Sequence, residues 1–205
     1  MGAPLYAEGA PTASDATIMD FSRTAAAHFT SMVAAKLQAK MALPIPFATL
    51  LGRTAGDLVR LIAAIPQRER LLRLRVEIVQ IPPDTPADKL VAVRELFRLY
   101  VREVAFMVDM FAPSEQVLAL DHIMLGADAR EAAGISDDAI FQDLIAFRQR
   151  AGRRGVYVLG LQQRGHLKRA IIAGISEVGG PALTENIKRL PDRISVLHRE
   201  ELSAP

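Results

Sequence analysis

Beyond residue 70, the chain alternates between short apolar segments and longer segments in which apolar residues recur at helical spacing. The short segments are apolar on both faces, which is typical of strands buried in a parallel sheet. The longer segments are amphipathic, as helices that cover such a sheet would be. This order predicts parallel β/α units of the α/β class. The predicted strands are 72–78, 104–110, 120–126 and 155–160, and the predicted helices are 86–103, 136–152 and 165–174.

The first 70 residues predict a loose arm and two helices. The arm is rich in glycine, alanine and proline, whereas Ile18, Phe29 and Met32 belong to an apolar series at helical spacing. Prolines restrict the residues before them and favour extended chain between the helices. The predicted elements are a short strand at 5–8, a helix from 15 to about 40, an extended segment at 43–50 with Pro44 and Pro46, and a helix over 52–65 that stops at Pro66. We therefore expect an arm over 1–14 and a single domain over 15–205.

Residues at the ends of the predicted elements mark boundaries and one candidate site. Ser136 is placed to cap a helix N-terminus and Gly152 to end that helix, while Pro86 suits a first helical turn. Parallel α/β folds gather ligands at the C-terminal ends of their strands. Asp109 follows the apolar run of "VAFMVDM" (104–110), so it is a candidate functional carboxylate.

Composition narrows the function classes. Of the 205 residues half are hydrophobic, the formal net charge is +2, and cysteine is absent. The lack of cysteine excludes a disulfide framework, thiolate zinc and a cysteine nucleophile, and it fits a reducing cytoplasm. No apolar run reaches the roughly 18 residues of a membrane span, and the N-terminus has no pattern of a secretory leader. We expect a cytoplasmic protein without a membrane span.

Five segments resemble, in the same order and at similar spacing, the motifs of the EAL-domain cyclic di-GMP phosphodiesterases. They are "RLRVEIV", "VDMFA", "DHIMLG", "VLGLQ" and "EVGGPAL", and the resemblance covers roughly residues 43–185. It implies a modified (β/α)8 barrel, a bacterial origin and an ancestral hydrolysis of cyclic di-GMP by two Mg²⁺ or Mn²⁺ ions. Because the chain is short for a barrel of ~250 residues, the barrel would be incomplete or modified at its N-terminal end, or the chain would be part of a longer protein.

The resemblance leaves few metal ligands. It implies vestigial metal-site positions at Glu77 and Asp109, with Glu8 as a further candidate for the Glu of the EAL tripeptide. After the strand of Glu77 the chain has Gln80 and a Pro-Pro turn, where family members have another acidic residue. The family's remaining site positions would hold Phe47 for an Asn, Met110 for an Asp, Met124 for a Lys, Gly126 for an Asp, Leu159 and Gln162 for two Glu, and Gly179 for a Gln.

A two-metal hydrolase needs several carboxylate oxygens around ions ~4 Å apart, and a cation beside the attacking water. Two or three carboxylates cannot hold such a pair of ions, and a Met in place of the Lys cannot help to activate water. We therefore predict a pseudoenzyme with no catalytic residue, no bound metal and no cofactor. In the alternative interpretation, Glu77 and Asp109 have structural roles, such as capping a turn or pairing with an arginine.

The predicted function is a catalytically inactive EAL-like domain that acts as a protein-interaction and regulatory module in bacterial signalling. One alternative is a cyclic di-GMP receptor that binds without hydrolysis. The loss of the Gln, the Lys and both Glu residues counts against it, because these positions also shape the nucleotide site. A second alternative is a residual metal-dependent phosphodiesterase.

Two further features are candidate interaction surfaces, and one histidine has a predicted structural role. The Ala-rich helix over 15–40 is a candidate homodimer surface, although packing on its own domain explains it as well. His122 is predicted to be a hydrogen-bonded core residue within a strand. A basic cluster suits solvated surface, a partner protein or an anion; nucleic acid is not expected, because the chain has no Trp and three Tyr for base stacking. The cluster consists of Arg148, Arg150, Arg153, Arg154, Arg164, Lys168 and Arg169.

Overall fold

A computed structural model describes residues 13–130 and 135–180 of the chain. Within these residues, eight helices and six strands follow one another in an α/β order. The predicted arm, the strand at 5–8 and Glu8 lie outside the described residues, apart from the last two residues of the arm. The elements are α1 (Asp15–Ala34), β1 (Met41–Pro46), α2 (Phe47–Leu50), α3 (Thr54–Ala63), α4 (Gln67–Arg73), β2 (Leu74–Val79), α5 (Ala87–Phe97), β3 (Glu103–Met107), α6 (Glu115–Leu118), β4 (Met124–Asp128), α7 (Asp137–Ala151), β5 (Gly155–Leu159), α8 (Arg164–Ile172) and β6 (Glu177–Val178).

The described residues form two compact units, of which the first contains 13–107 and 114–123. Its three strands are parallel, with β2 between β1 and β3. All six residues of β2 are buried, as expected of a central strand whose two faces are both covered. Helix α1 packs against α3 and β1 through a face that includes Ile18, Phe29 and Met32. These residues are buried and belong to the core of the first unit.

The second unit contains 108–113, 124–130 and 135–180. Its strands are also parallel, with β5 between β4 and β6. Helices α7 and α8 pack against each other, and α7 also packs against β5. The predicted caps of α7 are confirmed: Ser136 Oγ accepts a hydrogen bond from the Ala139 N–H at 3.3 Å, and Gly152 follows the helix with a φ of 62°. Local sequence therefore determined both ends of this helix.

The prediction of a parallel α/β fold is confirmed, with α3, α7, β5 and α8 close to their predicted positions. Helix α5 ends at Phe97, before its predicted end at 103, and β1 covers only the first part of the segment expected at 43–50. The closure of the strands into an EAL-type barrel and the single domain over 15–205 stay predictions. Among the described residues, none of the helices has the length and apolar character that crossing a membrane would require.

Helix α1 ends at Ala34, earlier than the predicted boundary near 40. Lys36 adopts a left-handed φ of 58°, the Lys36 N–H donates to the carbonyl of Val33, and the Leu37 N–H donates to the carbonyl of Met32. These two bonds form a Schellman motif, which ends a helix by turning the chain back over its last carbonyls. The prediction was wrong here because glycine usually occupies this position and the chain has a lysine instead.

The predicted strand at 120–126 was wrong at both of its ends. Strand β4 begins at Met124 and ends at Asp128, and His122 lies before it in a turn with a φ of 56°. His122 is exposed, so its prediction as a core residue was also wrong. Three short helices, α2, α4 and α6, were not predicted. Helix α2 occupies the second half of the segment expected to be extended at 43–50, and α4 replaces the first two residues of the strand expected at 72–78. Strand β3 likewise ends at Met107, before Asp109.

Candidate functional site

Glu77 is a buried carboxylate in the middle of β2. Its side chain is 1% exposed, and the residue lies beside Pro44 of β1 and Ala105 of β3. Arg75, two residues earlier on the same face of the strand, brings Nη1 to 4.0 Å from Glu77 Oε1. A buried carboxylate without such a partner would be strongly destabilising. The arginine therefore supplies positive charge to Glu77 inside the fold.

Arg75 also joins β2 to β3. Its Nε and Nη2 atoms both donate to Glu103 Oε2, at 3.0 and 2.7 Å, and Glu103 is the register partner of Arg75. One guanidinium thus lies between a fully buried carboxylate and a partly buried one. Such a cluster tethers the first residue of β3, and this role matches the structural interpretation of Glu77.

Asp109 belongs to the second unit and lies two residues after β3 ends. The residue is exposed, and its Oδ1 atom accepts a hydrogen bond from the Phe111 N–H at 2.8 Å. A carboxylate that accepts the N–H two residues later forms an Asx turn, which fixes the direction of the chain. Met110, at the position of the second family Asp, is buried instead. Asp109 is therefore engaged in shaping its own loop.

Asp128 is a strand-end carboxylate that the sequence analysis missed. The resemblance places a metal-binding Asp at the end of this strand and put Gly126 there, but the residue that ends β4 is Asp128. Its Oδ1 accepts the Arg130 N–H at 3.0 Å, and its Oδ2 accepts Arg130 Nε at 2.7 Å. The signal that could have found it is the continuation of the apolar run through Ala127. Asp128, like Glu77, has an arginine as its partner.

The loops that follow β4, β5 and β6 meet within the second unit. A β-carbon on Gly160 would overlap Asp128 Oδ1, and a β-carbon on Gly180 would lie 2.5 Å from the Leu161 backbone N. Both glycines have a positive φ, of 77° and 145°. The Leu161 N–H donates to the carbonyl of Gly179, and this bond joins the loop after β5 to the loop after β6. Backbone and paired side chains therefore fill this edge of the sheet.

The other site positions that the resemblance implies lie at different distances from the C-terminal ends of their strands. Phe47 begins α2 directly after β1 and is buried, so it lies at the C-terminal end of its strand as expected. Leu159 ends β5, and Gln162 is exposed in the following loop. Met124 begins β4 beside Gly155, at the strand's N-terminal end.

Near the C-terminal ends of β1 and β2 lie polar groups that have no hydrogen-bond partner among the described residues. They are Thr49 Oγ1 in α2 and both side-chain polar atoms of Gln80, which follows β2 with a φ of 56°. These atoms are buried, so each bears the cost of burial without such a partner.

The basic cluster is divided between two helices. Arg148, Arg150, Arg153 and Arg154 lie in the last turn of α7 and just after it, and Arg164, Lys168 and Arg169 lie in α8. Several of these side chains bind within the fold. Arg150 Nη1 donates to the carbonyl of Phe111 at 2.7 Å, and Arg154 Nη1 donates to the carbonyl of Ala151 at 3.2 Å. Arg169 Nη2 donates to Asp138 Oδ1, in the first turn of α7, at 2.8 Å.

His166 is a buried histidine that the sequence analysis did not single out. Its Nε2 atom lies 3.1 Å from the carbonyl oxygen of Ile135 and 3.4 Å from Asp137 Oδ1. A proton on Nε2 satisfies the carbonyl, since a carbonyl oxygen can only accept. The contact joins α8 to the residues that precede and begin α7. His166 is therefore in contact with both Ile135 and Asp137 and has a structural role.

The described carboxylates do not form a donor set for a pair of divalent ions. Glu77 and Asp128 are paired with arginines, and Asp109 binds a backbone N–H. Within 13–130 and 135–180, no three His, Asp or Glu side chains are grouped so that they could share one ion. The side chains at these strand ends therefore do not fit the two-metal centre that the resemblance implies. No family model matches this sequence, and no curated protein matches it.

Proposed function

We propose that this chain is a degenerate EAL-like β/α protein that does not hydrolyse cyclic di-GMP and acts in the bacterial cytoplasm as a regulatory, protein-interaction module. The observation that supports this most is that the carboxylates in the strands and directly after them already have partners within the protein. Glu77 forms an ion pair with Arg75 at 4.0 Å, Asp109 accepts the Phe111 N–H, and Asp128 accepts hydrogen bonds from Arg130.

The pairing supports the proposal for an electrostatic reason. A divalent ion binds carboxylates whose negative charge is not already compensated, and it competes poorly with a guanidinium fixed at hydrogen-bond distance. Arg130 is two residues from Asp128 and reaches it through both its backbone N–H and its side chain. Mg²⁺ would have to displace this contact, and too few other oxygen ligands would remain to complete its coordination.

A hydrolysis assay tests the catalytic part of the proposal. The full chain is incubated with cyclic di-GMP and either Mg²⁺ or Mn²⁺, and the linear dinucleotide product is measured by chromatography. We expect no turnover above that of a matched variant, Asp109→Asn, which keeps an oxygen that can accept the Phe111 N–H. Turnover by the natural chain that Asp109→Asn or Asp128→Asn abolishes would establish the residual phosphodiesterase instead.

Calorimetry separates the interaction module from a cyclic di-GMP receptor. Cyclic di-GMP is titrated into the chain with and without Mg²⁺, and we expect no heat of binding up to high micromolar ligand. Saturable binding without turnover would support the receptor and contradict the proposal as stated. A titration with Mg²⁺ alone serves as the control for metal binding to the carboxylates.

A further inference from the structure

Two neighbouring segments of the first unit, 67–73 and 98–102, carry a concentration of exposed leucines. Leu71 and Leu72 in α4 are 38% and 52% exposed, and Leu99, after α5, is 70% exposed. They are three of the seven large apolar residues that are exposed among the described residues. Single exposed apolar residues are normal on a protein surface, whereas a local group of them marks an interaction site.

Hydrogen bonds fix the two segments side by side. The Arg102 N–H donates to the carbonyls of Arg70 and Leu74, at 3.1 and 3.0 Å, and Arg70 Nη1 donates to the carbonyl of Tyr100 at 2.6 Å. The Arg70 guanidinium also lies 5.4 Å from the centre of the Tyr100 ring. The leucines are therefore presented by a surface that is already formed in the free protein.

The two segments carry an excess of positive charge. They contain five arginines and one glutamate, and with the adjacent Glu95 and Glu103, which pair with Arg98 and Arg102, the formal charge is 5 − 3 = +2. Arg98 and Arg102 are partly exposed at the edge of the segments, where they contact Glu95 and Glu103. Arg68 is exposed within α4. We call these two segments together the leucine–arginine surface.

We propose that the leucine–arginine surface docks a segment of a partner protein that presents large apolar side chains among carboxylates. The apolar side chains would cover Leu72 and Leu99, and the carboxylates would meet the arginines at the rim, as in interfaces with an apolar centre and a polar edge. This inference rests on the proposed function, because it names the surface through which that interaction would take place.

An anionic membrane is the other occupant that leucines and arginines could suit, but the geometry favours a protein. Helix α4 has seven residues, whereas helices that lie in a membrane interface present a long apolar face. Here the leucines come from two chain segments that tertiary hydrogen bonds hold together. Such a discontinuous, preformed surface is typical of protein–protein recognition.

Site-specific photo-cross-linking in the native bacterial host tests the inference. The photoreactive p-benzoylphenylalanine replaces Leu99 in the full chain, with replacements of Leu51 and Ile172 as exposed apolar controls that are 51% and 64% exposed. Mass spectrometry then identifies the cross-linked segment. We expect position 99 to capture a protein segment with apolar residues among Asp and Glu, and Leu72→Ser combined with Arg68→Glu to lower the yield about tenfold.

The identified segment is then made as a labelled peptide and titrated by fluorescence anisotropy. We expect Leu72→Ser to weaken its binding roughly tenfold and the control variant Leu51→Ser to leave it unchanged, with a fall in affinity as salt rises. Equal melting temperatures of the two variants show that both are folded. Equal binding by the two variants would overturn the inference.

The other results of cross-linking also decide the question. Capture of a lipid, of a second copy of this chain, of a basic segment, or of nothing at position 99 overturns the docking surface. If position 99 captures nothing but position 51 or 172 captures a partner protein, the docking surface is wrong and the interaction function stands. If no position captures a protein, both are contradicted, whereas the assays with cyclic di-GMP test the loss of catalysis separately.

Discussion

The backbone of Gly160 lies so close to the side chain of Asp128 that no β-carbon fits between them. A β-carbon on Gly160 would overlap Asp128 Oδ1 and would lie 2.6 Å from Cγ and 3.0 Å from the backbone N of Arg130. The Asp128–Arg130 pair therefore fills the space between the end of β4 and the backbone that follows β5. This contact ties the candidate carboxylate to the packing of the second unit.

We expect Gly160→Ala to lower the free energy of unfolding by about 2–4 kcal/mol, because it adds a clash to the strain of a φ of 77°. Urea unfolding followed by circular dichroism measures the change. Gly152→Ala is the matched control, because Gly152 also has a positive φ but the atom nearest to its added carbon, Arg154 Nη1, would be 3.9 Å away. Its expected cost is about 1–2 kcal/mol, and an equal cost at both sites would contradict the close packing at Asp128.

Replacement of Arg75 tests the buried charge cluster of the first unit. Arg75→Met leaves Glu77 buried without its arginine and removes the bonds to Glu103, so we expect a loss of about 3–5 kcal/mol in unfolding free energy. Arg60→Met is the control, since the Arg60–Asp57 pair is solvent-exposed and should contribute less than about 1 kcal/mol. The addition of Glu77→Gln to Arg75→Met should recover part of the stability, and a cost no larger than that of Arg60→Met would contradict the role of the cluster.

The Asx turn at Asp109 predicts that two substitutions of this residue differ in their cost to stability. Asp109→Ala removes the acceptor of the Phe111 N–H and should destabilise the protein by about 0.5–1.5 kcal/mol, whereas Asp109→Asn keeps an acceptor and should cost less. Asp84→Ala, at an exposed position outside the helices and strands, should change the stability by less than about 0.5 kcal/mol. Thermal unfolding of the three variants, repeated with Mg²⁺, checks this order. A Mg²⁺-dependent rise in melting temperature that Asp109→Asn removes would show a metal site.

Glu95 is an exposed carboxylate of α5 whose pKa is lowered by two neighbouring arginines. The side-chain hydrogen bond from Arg98 lowers the pKa of Glu95 below its usual value, and a weaker contribution from Arg94 acts in the same direction. We expect an NMR titration of the Glu95 side chain to give a lowered pKa in the natural chain. Arg98→Gln should raise this pKa more than Arg94→Gln does.

The lowered pKa fixes the sign of the pH dependence. Because the folded-state pKa of Glu95 lies below its unfolded-state value, its contribution to stability is present above the unfolded-state pKa and is lost as the pH falls through the folded-state pKa. Glu95→Gln should therefore flatten the acid limb of the stability curve slightly and leave the curve near neutral pH unchanged in slope. A flattening on the alkaline side would contradict the assignment.

The sequence alone determined the features that depend on neighbours along the chain. The apolar strand segments and amphipathic helices indicated the parallel α/β fold, and Ser136 and Gly152 indicated the ends of α7, because capping is decided within one turn. The boundaries of α1 and β4 were not determined in this way. Lys36 takes a backbone conformation that sequence associates with glycine, and the apolar run around Met124 fits a strand in more than one register.

The roles of the candidate carboxylates depend on contacts that form when the chain folds. Arg75 and Glu103 are 28 residues apart and meet because β2 and β3 are in register, and Asp128 became a candidate once the end of β4 was known. The segments around Leu72 and Leu99 likewise form one surface because Arg102 and Arg70 bond across them. Sequence periodicity specifies which residues are buried, but the pairing of a buried charge depends on the neighbours that folding brings to it.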